Sequence, residues 1–363
     1  MAHKTPEGGG SKDPPPFFVC GMQLPFLFWP MTSSPSFRRV LVTGGAGFIG
    51  SALVEGLNKK GVEKIVVADF LGTDEKWRNL ASLVLEDVVD ARVLLDRISQ
   101  KPDAFGDFDC VLHMGACSAT TERDAAYLIE NNTHYTMTLC EWALKLGARF
   151  VYASSAATYG DGAKGMDDRA DIRGLRPLNA YGWSKQLFDL QVSQRGYMKH
   201  IAGLKYFNVF GPNEYHKGDM RSLVCKAYQQ IVDTGEIKLF KSHRPDYRDG
   251  EQMRDFIYVK DAVAATMHLA GNNRANGLFN VGSGLARTWL DLAHAIFTAL
   301  QLEPKIQFVE MPESIRDQYQ YHTCADISKI RSVGHDKPGL TLEAAVNDYV
   351  TNYLVPHRFL GEG

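Results

Sequence analysis

Two side chains in the segment Tyr181-Gly-Trp-Ser-Lys185 are of the types needed for acid–base chemistry on an alcohol. Four residues make about one helical turn, so on a helix the phenol and the ammonium would share a face. A neighbouring cation favours the phenolate, which would leave the tyrosine ready to take or return a proton. Such pairs are common on helix surfaces, and place in the chain is what gives this one weight. It follows the run Tyr152-Ala-Ser-Ser-Ala-Ala-Thr-Tyr-Gly160, which reads as the end of a buried strand. Open α/β sheets collect their ligands at the carboxyl ends of strands. Ser155, at that end, could bond the same substrate oxygen that Tyr181 protonates or deprotonates.

A second constellation supplies a partner for redox chemistry. An apolar run ends at Thr43, and glycines follow at Gly44, Gly47 and Gly50 before a helical pattern opens. Gly44 suits a tight turn, Gly47 a close approach to a pyrophosphate, and Gly50 close packing of helix on strand. The next apolar run ends at Asp69, 19 residues beyond Gly50, where an acid would hold a ribose hydroxyl. Together these predict a dinucleotide site.

The elements that must position these groups alternate. Strand-like runs occur at 38–43, 63–69, 108–114, 148–155 and 201–208, with helical periodicity at 48–60, 123–146 and 179–196. Near-continuous apolar strands imply a parallel sheet covered on both faces. The fold class expected is α/β: a Rossmann-type doubly wound parallel sheet with a smaller mixed α/β substrate lobe. Residues 37–212 would form the NAD(P)-binding domain. Residues 213–355 would form mostly the substrate lobe, with parts of 255–281 returning to the first domain, and 356–363 a tail. In the later part, strands are expected at 237–240, 255–259 and 305–309, helices at 260–270, 288–300 and 341–354, and loops at 213–220 and 241–254.

Residues 1–36, with Gly8-Gly9-Gly10, Pro14-Pro15-Pro16 and a broken apolar patch from Phe17 to Trp29, read as a disordered extension rather than a signal peptide. Met31 is a candidate alternative start. Forty basic and forty-two acidic residues give a net charge of −2, which argues against nucleic acid or anionic membrane as partner. No apolar run reaches membrane-spanning length. Six cysteines without a Cys-x-x-Cys pair give no support for a metal site and suit a cytoplasmic protein.

The ordered set Thr43-Gly-Gly-Ala-Gly-Phe-Ile-Gly50, Ser155 and Tyr181/Lys185 resembles the extended short-chain dehydrogenase/reductase family, over residues 38 to about 354. Within it the chain is similar to the branch of ADP-L-glycero-D-manno-heptose 6-epimerases. The segments that carry this likeness are His113–Glu122, Ala153–Gly160, Lys205–Pro212, His216-Lys-Gly-Asp-Met220, Arg254-Asp-Phe256 and Gln318-Tyr-Gln320. The resemblance implies inversion at carbon 6 through a ketone, with Tyr181 as one acid–base group and Lys217 as the other. Lys185 would orient the cofactor ribose and tune Tyr181.

For the cofactor the resemblance points to Phe48, Ile49, Asp69, Phe70, Lys76, Gly115, Ala116, Cys117, Ser118, Asn131 and Val209. Asp69 alone suggests NAD, because a carboxylate repels a 2′-phosphate. Lys76 could pair that phosphate, so NADP is favoured and NAD stays open. For the ADP-sugar it points to Asn208, His216, Lys217, Asp219, Lys226, Phe240, Lys241, Ser242, His243, Arg254 and Tyr319. Arg254 offers a fork suited to a diphosphate, or else an ion pair with Asp255. A homo-oligomer is also implied. The chain departs from the family near Asp90-Ala91, where a cofactor-side lysine has no counterpart, at Lys226, which stands for a histidine, and in a longer loop at 248–253.

The rival activities are inversion at carbon 4 of a UDP-hexose and non-catalytic sensing of NAD(P). A 4,6-dehydratase is disfavoured, since Ala156 and Ala157 stand where elimination needs an acidic pair.

Overall fold

Seven parallel strands form the main sheet of the computed structural model, which describes residues 37–316 and 319–362. Residues 1–36, expected to be an extension, lie outside the described residues, as does Gln318. The strands in chain order are β1 (Val40–Thr43), β2 (Ile65–Asp69), β3 (Asp87–Asp90), β4 (Cys110–His113), β5 (Arg149–Ser155), β6 (Ala202–Tyr206) and β10 (Gly277–Val281). They lie in the order β10-β6-β5-β4-β1-β2-β3. The direction of winding reverses between β1 and β4, whose ends pair Thr43 with His113. A crevice opens at the carboxyl end of such a switch point. The chain is a doubly wound α/β protein of Rossmann type.

Apolar strands explain the two-sided cover. Val40, Leu41 and Val42 are fully buried, and side chains alternate across the sheet. Val40 and Val42 join a cluster with Leu53 and Leu57 of helix α1 (Phe48–Lys59). Leu41 faces a second cluster with Leu94 of α2 (Ala91–Gln100) and Leu139 of α4 (Tyr135–Lys145).

Several elements differ from expectation. The pair β3 and α2 was not anticipated, because Asp87-Val-Val-Asp90 is too short and too charged to read as a strand. It forms because β2 offers it an open edge, pairing Val67 with Val88. The predicted helix 123–146 is three pieces: α3 (Ala125–Leu128), a π-helical turn at Ile129–His134, and α4. The predicted strand 201–208 ends at Tyr206. The chain then enters β7 (Asn208–Phe210), which belongs to a different, three-stranded sheet with β9 (Met253–Tyr258) and β11 (Ala286–Thr288).

A two-stranded sheet of β8 (Ile237–Phe240) and β12 (Ile306–Val309) completes the strands. The unanticipated helix α6 (Leu223–Thr234) runs beside it, capped by Ser222. The remaining helices used below are α5 (Ala180–Gln194), α7 (Val259–Gly271) and α8 (Trp289–Ala299). No helix among the described residues is long and apolar enough to cross a membrane.

Candidate active site

The glycine turn leaving β1 has the shape a dinucleotide requires. Gly44 has φ +66°, and a Cβ there would stand 2.5 Å from the Gly115 nitrogen. At Gly50 a Cβ would lie 2.0 Å from the Gly44 carbonyl oxygen, so neither position admits a side chain. Gly47 caps α1 without a side-chain hydrogen bond, leaving its first N–H groups open to an anion. The carboxylate of Asp69 accepts from the Ala46 and Phe70 nitrogens at 2.9 and 2.7 Å and from Lys76 Nζ at 2.9 Å. A pyrophosphate fits the bare helix end, and an adenosine ribose fits the Asp69 end.

One cleft gathers most of the expected cofactor residues: Gly44, Gly47, Phe48, Ile49, Gly50, Asp69, Phe70, Lys76, Gly115, Ala116, Cys117, Ser118 and Asn131. His216, expected against the sugar, lines this cleft instead. Its Nδ1 stands 3.2 Å from Asn79 Nδ2, and burial beside Lys76 pushes the imidazole down to about 4. Val209 lines the second cleft, not this one.

The expected acid–base group is on α5, and Tyr181, Lys185 and Ser155 line neither this cleft nor the second one. Asn179 caps that helix at the Gly182 nitrogen, which fixes the first turn carrying Tyr181. Ser155 Oγ accepts from the Ala157 nitrogen at 3.1 Å and stands near enough to the Tyr181 phenol to act on its protonation. The expected lowering of the Tyr181 pKa by Lys185 is not found: burial pushes the phenol up, and Ser155 works the other way. Lys185 is 4 % exposed and donates from Nζ to the Ala153 carbonyl at 2.8 Å. Burial brings its ammonium down to about 8, with Asp189 one turn further along opposing. Asp189 in turn accepts from Tyr152 and Ser154, both at 2.7 Å.

A second cleft is lined by Asn208, Val209, Lys217, Lys226, Phe240 and Tyr319. Lys217 belongs to the walls of both clefts, with Nζ 5.3 Å from the Phe48 ring centre. Burial lowers its pKa, against the attraction of Glu214. Arg254 is 6 % exposed on β9, its guanidinium 4.9 Å from the Tyr319 ring and 5.6 Å from Trp289. It does not pair with Asp255, whose carboxylate is taken by Ser283, Gly284 and Ala325.

Five expected sugar contacts, Arg254 and four others, are absent from both linings. Asp219 is exposed and its carbonyl accepts from Lys226 Nζ at 3.2 Å. Lys241 and His243 are drawn to Glu310, at 2.8 and 3.5 Å, and Ser242 is tied to Asp249 and Arg244. For Lys241, Ser242 and His243 the physical reason is the loop 241–252, which folds back on itself between β8 and β9.

Other residues of the site carried no sequence signal. Asn132, buried in the π-helical turn, grips the Cys117 backbone at both N–H and C=O, 2.8 and 3.0 Å, and donates to Ser184 Oγ at 3.0 Å. It thereby ties the cofactor loop to the tyrosine helix. Asn79 bonds Ala46, Asn213 and His216. Trp289, Gln230 and Lys238 complete the second cleft. A polar residue at helical spacing opposite a Gly-rich loop is the only pattern that could have flagged any of them.

The family model for NAD dependent epimerases and dehydratases matches residues 40–282. The chain belongs to that family. Among curated proteins it is 54% identical over 315 residues to the ADP-L-glycero-D-manno-heptose-6-epimerase of Nitratidesulfovibrio vulgaris strain DP4, covering 86% of this chain and 97% of the relative. It is 43% identical over 325 residues to the enzyme of that name from Fusobacterium nucleatum, covering 87% and 98%. Among solved structures, the ADP-L-glycero-D-manno-heptose-6-epimerase of Helicobacter pylori superposes with a TM-score of 0.75 at 28% identity, covering 89% and 98%. An epimerase of this family is an isomerase that works with a nicotinamide cofactor. The bare helix end and the Asp69 carboxylate are the parts of this epimerase that fit one.

Proposed function

We propose that this epimerase inverts carbon 6 of the heptose in ADP-D-glycero-D-manno-heptose to give the L-glycero form, for lipopolysaccharide core synthesis. The observation that carries the proposal is the place of Lys217, on the walls of both clefts. When bound, the nicotinamide accepts hydride from the sugar carbon and returns it.

The residues of the chain would do the rest. Inversion requires the carbonyl to present its other face, so its oxygen occupies two positions in turn. Tyr181 would take the hydroxyl proton in one orientation, with Ser155 favouring the phenolate. Lys217 would exchange the proton at the oxygen in the other orientation, its ammonium restrained by burial so that it can give up a proton. Arg254, buried against the rings of Trp289 and Tyr319, would hold the diphosphate, and Lys226 would add positive charge from the wall of the second cleft.

The cofactor favoured is NADP. Lys76 sits 2.9 Å from Asp69 and offsets the charge that would repel a 2′-phosphate. The decisive experiment incubates purified protein with the ADP-heptose and catalytic NADP and reads product stereochemistry by NMR. Inversion without net accumulation of reduced nicotinamide is expected. Net reduction, or turnover of UDP-galactose in preference, would overturn the proposal.

A further inference from the structure

One buried acid lies beside Lys217 and has no part in the chemistry described so far. Glu214 is 1 % exposed. Its carboxylate accepts from the Ser222 nitrogen at 2.5 Å, Ser222 Oγ at 2.6 Å and the Gly211 nitrogen at 3.4 Å. Its backbone carbonyl accepts from the Lys217 nitrogen at 3.0 Å. Ser222 also caps α6, accepting from the Cys225 nitrogen at 3.3 Å.

One side chain therefore joins the end of β7, the loop that turns through Gly218 at φ +51°, and the start of α6. Those three pieces bring Asn208, Lys217 and Lys226 to the second cleft. We propose that Glu214 is a positioning residue, closing the loop 214–222 so as to set where Lys217 stands and which charge it carries. This rests on the reading of Lys217 as the second acid–base group.

Electrostatics supports the geometry. Burial disfavours the Lys217 ammonium, and the Glu214 carboxylate is the group that opposes this. Glu214 is itself pushed up by burial, held back by Ser222 and then by Lys217. The other charged groups around Lys217 are mostly basic. His216, Asp219 and Arg221 are on its own loop, Lys76 and Asp69, with the titratable Cys117, Tyr127 and Tyr135, line the first cleft, and Lys226 and Lys238, with Tyr319, line the second. From α1 the Phe48 ring centre stands 5.3 Å from Lys217 Nζ. Among basic neighbours, a nearby carboxylate decides whether an amine is protonated.

The test uses full-length holoenzyme. Glu214→Gln keeps the size and one acceptor oxygen but removes the charge, whereas Ser222→Ala keeps the charge and removes a tether. The Lys217 titration is followed by NMR of chain labelled with carbon-13 at lysine Cε, assigned through loss of its signal in Lys217→Gln. The pH dependence of kcat is measured alongside. Glu214→Gln should move both the Lys217 titration and the matching limb of kcat to lower pH by about one unit, a tenfold change in the protonation equilibrium.

Ser222→Ala should lower kcat by about tenfold through misplacement without moving the limb. An unmoved Lys217 titration in Glu214→Gln overturns the inference. Should that variant fail to fold, Glu214→Asp decides: the titration should hold while kcat falls, and unchanged kcat overturns the inference. Full activity in Lys217→Gln would instead remove the acid–base reading of Lys217, with the titration still deciding whether Glu214 sets its charge.

Discussion

Lys76 Nζ lies 2.9 Å from Asp69 Oδ1, and that same carboxylate also receives the Ala46 and Phe70 N–H groups. The acid proposed to mark the ribose end of the cleft is thus paired with a lysine seven residues away. Replacing Lys76 with Ala leaves the carboxylate unopposed. NADP should then bind about tenfold more weakly, near 1.4 kcal/mol, with NAD much less affected. Calorimetric titration of both cofactors checks this, and an equal loss for the two would contradict it.

Tyr181→Phe removes the hydroxyl and little else. Turnover should fall by roughly 10²- to 10⁴-fold with cofactor still retained. Ser155→Ala removes the hydroxyl that opposes the effect of burial on the phenol. Its activity should fall, and the limb requiring phenolate should move to higher pH. A shift to lower pH would contradict the assignment of Ser155.

Gly50 has no room for a methyl group, since a Cβ would meet the Gly44 carbonyl at 2.0 Å. Gly50→Ala must displace backbone on one side of the turn. A loss of at least about 3 kcal/mol in stability is expected, with cofactor affinity falling as well. Urea unfolding and cofactor titration read the two effects separately.

His113 is buried between Thr43 and Thr136, at 2.5 and 2.8 Å, and burial together with the Lys185 charge pushes it down to about 3. Between that value and the ordinary one of 6.5, the unfolded chain carries a proton the folded chain lacks. Stability therefore rises with pH across this window and is lost as pH falls below 6.5. By pH 5 the loss from this residue should be about 2 kcal/mol. His113→Gln should lose less stability than the parent between pH 7 and pH 5, whatever its stability at pH 7. Equal losses by urea unfolding would contradict the buried-neutral assignment.

Much of the site was legible because its requirements are local. Gly44, Gly47 and Gly50 answer to the backbone of a single turn, and Tyr181 and Lys185 to one turn of one helix. Residues held by partners far along the chain gave no such sign. Asn132 matters through Cys117 and Ser184, 15 and 52 residues away. The strand β3 escaped notice because its cause is the free edge of β2 rather than its own four residues.

Periodicity and glycine spacing by themselves determined a doubly wound sheet, a dinucleotide turn and a tyrosine–lysine helix, because short-range sterics and amphipathic pattern dictate those features. Tertiary structure alone decided that Lys185 turns to the Ala153 carbonyl while Ser155 meets the phenol, and that His216 faces the cofactor cleft. It also set Lys241, Ser242 and His243 apart from both clefts. Burial and hydrogen-bond partners depend on which distant segments meet, and no window of sequence contains that information.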